Sequence, residues 1–67
     1  MRKFIVTLYR EEGTGIIFHR NEDLDCAINY AKGMIDGLEF ISDTAEVITV
    51  TVTDDEENII YEDTINQ

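Results

Sequence analysis

Three groups of residues in this sequence have the types and spacing that chemistry would use. They are the lone thiol Cys26 with the lone imidazole His19, the oxygen-rich run Asp54-Asp55-Glu56-Glu57-Asn58, and the glycine pair of Gly13-Thr14-Gly15. Nucleophilic catalysis needs a nucleophile, a base within hydrogen-bond reach and a group that orients the base. With one Cys and one His no third member is evident, and a buried, inert thiol is the common state of a Cys. A calcium loop needs ligands at alternating positions, a glycine for its sharp turn and a distant bidentate Glu over 12 residues. The 54–58 run has no glycine and covers less than half that length. Zinc asks for three or four Cys, His or carboxylate ligands in a closed set. Gly13-Thr14-Gly15 lacks the Lys and the helix start of a phosphate loop. The expectation is a protein that is not an enzyme, with no catalytic residue, no cofactor and no metal.

The carboxylates carry more information as a set. Fifteen Asp and Glu stand against five Lys and Arg, a formal net charge of −10 on 67 residues. Residues 1–20 hold Arg2, Lys3, Arg10 and Arg20 against Glu11 and Glu12, a balance of +2, and residues 21–67 hold thirteen carboxylates against Lys32, a balance of −12. Such a field repels phosphate backbones and anionic membranes, so the expected partner is basic, with no direct nucleic acid and no membrane. Disorder does not fit a chain that is 43% hydrophobic, free of proline and strongly periodic. A chain this short buries only about 60% of its unfolded surface on folding, room for one small core. The expectation is a single acidic domain over residues 1–67. Unpaired Cys26 suits a reducing compartment, and no apolar run approaches a membrane span, which points to the cytoplasm.

Five elements would position these residues. Lys3–Arg10 alternates as a strand, with Phe4, Val6 and Leu8 on one face and Ile5, Thr7 and Tyr9 on the other. The glycines after Glu12 suit a hairpin turn, and Ile16–Arg20 alternates again, Ile16 and Phe18 opposed to Ile17 and His19. Asn21 is a suitable N-cap. Leu24, Ala27, Ile28, Ala31, Ile35 and Leu38 then recur at helical spacing, with Met34 beside them and Gly37 as the residue that stops the helix. Leu38–Ala45 reads as a connector whose Phe40 and Ile41 plug the end of the core. Glu46–Thr53 is the cleanest alternation in the chain, and Ile59–Asp63 is the last strand.

The order β-β-α-β-β predicts an α+β fold. A helix between two hairpins covers one face of a mainly antiparallel four-stranded sheet, giving a two-layer sandwich whose strand order stays open. The uncovered face would present Ile5, Thr7, Tyr9, Ile17, His19, Val47, Thr49 and Thr51, an apolar surface for a partner or a second copy of the chain. The acidic candidates are Glu22, Asp23, Asp25, Asp36, Glu39 and Asp43 around the helix, and Asp54, Asp55, Glu56 and Glu57 at the second hairpin tip. Carboxylates on one strand face repeat at about 6.8 Å, and i,i+4 neighbours on a helix at about 6 Å. That is the order of phosphate spacing, so such a surface can occupy a Lys/Arg groove built for DNA or RNA.

The strand K-F-I-V-T-L-Y, the helix N-E-D-L-D-C-A-I-N-Y-A and the strand E-V-I-T-V-T-V-T, in a proline-free, Cys-poor acidic chain, resemble small phage-encoded anti-CRISPR and anti-defence proteins. The resemblance lies in size, charge and element order over the whole chain and carries no residue assignments. It implies an inhibitor that binds a basic, nucleic-acid-handling protein or nucleoprotein complex in the host cytoplasm. Residues 3–36 are also similar to the partial ribonuclease-H-like domain of antitoxins that neutralise a basic toxin, though this sequence lacks that fold's third strand before the helix. The alternative expectation is a structural or interaction module, a homodimer through the open sheet face or an antitoxin-like neutraliser.

Overall fold

Alternation in the first twenty residues produces two paired strands in the computed structural model, which describes residues 3–41 and 46–66, with side chains for 3–38 and 46–66. Strand β1 spans Phe4–Tyr9 and β2 spans Gly15–Asn21. The turn between them is closed by Gly13 N–H donating to Arg10 O and Arg10 N–H donating to Thr14 O. Gly13 adopts a φ of 99°, a conformation that favours glycine. The chain then forms the helix α1, Leu24–Ile41, followed by β3, Ile48–Thr53, and β4, Ile59–Ile65.

The sheet order is β2-β1-β3-β4, with every pairing antiparallel. Helix α1 carries the chain from edge strand β2 across β1 to β3, and it contacts all four strands. The α+β fold with one helix against a four-stranded antiparallel sheet is therefore observed. Its core takes alternate residues of the two central strands, Phe4, Val6 and Leu8 with Ile48, Val50 and Val52, and closes with Ile65, Ala27, Ala31 and Ile35. Ala27 and Ala31, one turn apart and fully buried, hold the helix close to Val6, Val50 and Val52, which are also fully buried. No helix among the described residues is long and apolar enough to cross a membrane.

Both edge strands carry an extra residue. In β2, Val6 pairs with His19 and Thr7 with Ile17, so Phe18 is unpaired; in β4, Val52 pairs with Tyr61 and Thr53 with Ile59, so Ile60 is unpaired. A bulge reverses the facing of every residue beyond it. His19 therefore faces the helix, opposite core residue Val6, and its ring stacks on Tyr30 with centroids 4.2 Å apart. Its expected place on the open face is corrected by that one inserted residue.

The helix also departs from expectation at both ends. Asp23, not Asn21, is the N-cap: its Oδ1 accepts from Cys26 N–H at 3.2 Å and its carbonyl from Ala27 N–H at 3.1 Å. Asn21 ends β2 opposite Phe4, and its Oδ1 accepts from Asp23 N–H at 2.7 Å. Gly37 does not stop the helix, which continues to Ile41. Leu38 packs against the core one residue later, and that packing outweighs the roughly 1 kcal/mol cost of a helical glycine. The expected core plugs Phe40 and Ile41, like Glu39 and Asp43, lie outside the residues whose side chains are described. Strand β4 runs two residues past its expected end and adds Ile65 to the core, while β3 begins at Ile48 and leaves Val47 before it.

Candidate functional site

The sheet face away from the helix is a trough, and its floor is built of threonine. Register places Thr7 opposite Thr51, Ile5 opposite Thr53 and Tyr9 opposite Thr49, all on that face of β1 and β3. Ile17 and Gly15 of β2 form one wall; Ile59 and Glu62 of β4 form the other. The open trough has a volume of about 920 Å³. The inserted residues in both outer strands increase the local twist of the sheet edges. No element among the described residues covers this face, yet Thr7 is 8% exposed and Thr51 only 3%. The walls bury the floor.

The tip of the second hairpin belongs to this trough. Asp54, Asp55 and Glu57 line it together with Glu62, so its carboxylates gather on the β4 side around Ile59, whereas its β2 side, made by Ile17 and Gly15, carries no charge. Among the described residues no Lys or Arg lines it. The tip is held by Asp54, whose Oδ1 accepts from Glu56 N–H and Asn58 N–H, both at 2.9 Å, while Oδ2 accepts from the Asn58 amide at 3.1 Å. Glu57 sits at a φ of 65°. Asp54 is thus occupied in building the turn, and Asp55 and Glu57 are presented by it. Glu56 is exposed beside them but does not line the trough.

Thr51 carries the most unusual atom of the site. Thr49 Oγ1 and Thr64 Oγ1 lie 3.0 Å apart and satisfy each other. Thr51 Oγ1, in the next same-face position of β3, is buried with no hydrogen-bond partner. An unpaired buried hydroxyl costs about 1–3 kcal/mol in mutational terms.

The helix-side carboxylates have different surroundings. Asp23 caps α1, and Glu22 lies in a small notch beside Lys3, Arg20 and Asn21. Asp36 stands one turn after Lys32, whose ammonium lies 5.8 Å from the centroid of the Tyr61 ring. Tyr61 titrates above its ordinary range, chiefly through burial, then through the charge of Asp63 and a hydrogen bond to it, and then through Asp36. Asp25 is exposed in the first helical turn, where the helix dipole favours it. The acidic residues expected to form one surface are therefore divided between two layers.

Of the expected open-face residues, Ile5, Thr7, Tyr9, Ile17, Thr49 and Thr51 come together in the trough. His19 does not, for the reason given above, and Val47 does not, because it precedes β3 and donates its N–H to Glu11 Oε2 at 3.4 Å. Glu62 and Ile59 were not singled out by sequence reasoning; alternation from Val52 would have found Glu62 only with the β4 bulge in hand. The Cys26 thiol is exposed on the helix, and the imidazole of His19 meets the Asn21 amide at 3.3 Å rather than a thiol. Among the described residues no three His, Cys, Asp or Glu side chains converge on a metal position. At the far end of the molecule Arg10 grips Glu46 at 3.2 Å, an ion pair that raises the guanidinium pKa, first by hydrogen bonding and then by charge. Comparison of the chain with protein-family models, curated proteins and solved structures returns no match.

Proposed function

We propose that the protein is a non-enzymatic acidic binding protein that occupies the basic surface of a nucleic-acid-handling protein or complex, in the manner of the anti-defence inhibitors its sequence resembles. The observation that carries this reading is the continuity of the acidic hairpin tip with the uncovered sheet face. Charge alone is common in soluble proteins; charge joined to a shaped, uncovered surface is what a partner can recognise. With fifteen carboxylates and five cations, at least ten carboxylates stay uncompensated by one-to-one pairing. Their field accelerates encounter with a cationic partner and repels a polyanion.

The test is affinity capture at about 0.1 M salt and elution at about 1 M, where the Debye length falls from about 10 Å to about 3 Å. Captured proteins are then loaded with labelled duplex or single strand, and release of the nucleic acid on adding the acidic protein is followed by anisotropy. The expected result is a salt-eluted, nucleic-acid-binding partner from which the acidic protein displaces the strand. Capture that survives high salt, or partners that bind no nucleic acid, would sink the proposal.

A further inference from the structure

The trough itself has a ligand chemistry. Its carboxylates Asp55, Glu57 and Glu62 gather on the β4 side around Ile59 and face Ile17 across a floor that includes Thr7 and Thr51, so a matching occupant carries cations along one side and aliphatic groups toward the other. Thr51, 97% buried on that floor, holds a hydroxyl with no partner. Thr51 lines the trough, so its unpartnered hydroxyl lies in the floor of the proposed site. A second copy of the chain is a poor match, since each copy brings a net charge of −10. We propose that this trough, and not the helix face, is the docking site for a basic amphipathic segment of the partner protein, with Lys or Arg against Glu57 and Glu62 and aliphatic side chains against Ile17. The inference rests on the proposed function, because it locates on one sheet face the surface that takes the basic partner.

The contrast with the helix layer is what singles out the trough. There Asp23 is spent on a cap, Glu22 has Lys3 and Arg20 beside it, and Asp36 has Lys32 one turn away. Cations thus stand beside Glu22 and one turn from Asp36, and Asp25 alone is exposed with none named beside it. A cation arriving at the trough meets no other cation among the described lining residues.

The probe is a fluorescent peptide with leucines along one helical face and lysines along the other. A control peptide of equal charge has serine in place of each leucine. Binding is measured by anisotropy for the wild type, for Glu57→Lys with Glu62→Lys, for Asp25→Lys with Asp36→Lys, and for Ile17→Ser. The two double variants change the net charge equally. The expected outcome is a loss of about tenfold or more in affinity for the trough double variant, and about threefold or less for the helix double variant. Ile17→Ser is expected to weaken the leucine peptide and leave the serine peptide unchanged. Equal losses for the two double variants overturn the trough while leaving the basic-partner reading in place. Failure of the wild type to bind either peptide overturns that reading as well. A wild-type dimer in light scattering that Ile17→Ser dissociates would make the occupant a second copy and overturn the inference.

Discussion

At the residue scale, three side chains do work that their types alone do not reveal. Asp54 is one of four consecutive carboxylates, yet it is the acceptor around which the second turn closes. Asp54→Ala is expected to cost about 1.5–3 kcal/mol, the range for hydrogen bonds to a charged acceptor, read as a lower urea midpoint. A variant as stable as the wild type would show that the turn closes without it. Thr51 behaves oppositely. Thr51→Val replaces an unpaired buried hydroxyl by a methyl of nearly the same shape and is expected to stabilise the free protein by about 1 kcal/mol. If it destabilises instead, the hydroxyl has a partner in solution. Tyr61 links burial to pH. Its phenol pKa is raised in the folded protein, so the neutral form is favoured by folding. That contribution is complete below the ordinary tyrosine pKa of about 10 and is lost as pH rises through the higher folded value. Thermal stability is therefore expected to fall above about pH 10, and less so in Tyr61→Phe.

At the element scale, the strand alternations and the helical spacing of Leu24, Ala27, Ile28, Ala31 and Ile35 were legible because each matches one period cleanly. The bulges were not legible. They fall in the consecutive apolar runs Ile16-Ile17-Phe18 and Ile59-Ile60, which satisfy either face, so alternation through them carries no parity. One hidden residue in β2 moved His19 from the trough to the helix, and one in β4 concealed Glu62. The helix end is hidden from the sequence for a related reason. Gly37 resembles a C′ stop locally, but a stop depends on whether the next turn has something to bury, and Leu38 does. Gly33 and Gly37 are both exposed, with nothing within 4 Å of an added Cβ. Gly33→Ala with Gly37→Ala is therefore expected to stabilise the protein by about 1 kcal/mol per site. An unchanged unfolding midpoint would mean that the end of the helix frays in solution. Gly15 differs: an added Cβ would lie 2.7 Å from the Tyr9 ring, which rests over that glycine in the trough.

At the scale of the whole molecule, the sequence assigned the excess charge to residues 21–67, and the structure divides it into two layers with different roles. On the helix side Asp23 caps, Glu22 and Asp36 have cations near them, and Asp25 is exposed. On the open side those of the hairpin tip and β4 edge continue an uncovered surface. Which carboxylates share a surface is a property of register and turn geometry, beyond what a linear count contains. Self-repulsion among ten uncompensated charges also sets the response to salt. The melting temperature is expected to rise between about 0.01 M and about 1 M salt, as the Debye length falls from about 30 Å to about 3 Å. A decrease would mean that attraction between the hairpin of residues 3–20 and the acidic remainder dominates.

The central claim is that the uncovered sheet face and the acidic tip form one binding surface. Amide chemical-shift mapping of the isotope-labelled protein, titrated with the leucine–lysine peptide, tests it most directly. The largest shifts are expected at Thr7, Ile17, Thr51, Glu57 and Glu62, reversed by salt. Shifts confined to Asp25, Asn29, Lys32 and Asp36 on the helix would contradict it.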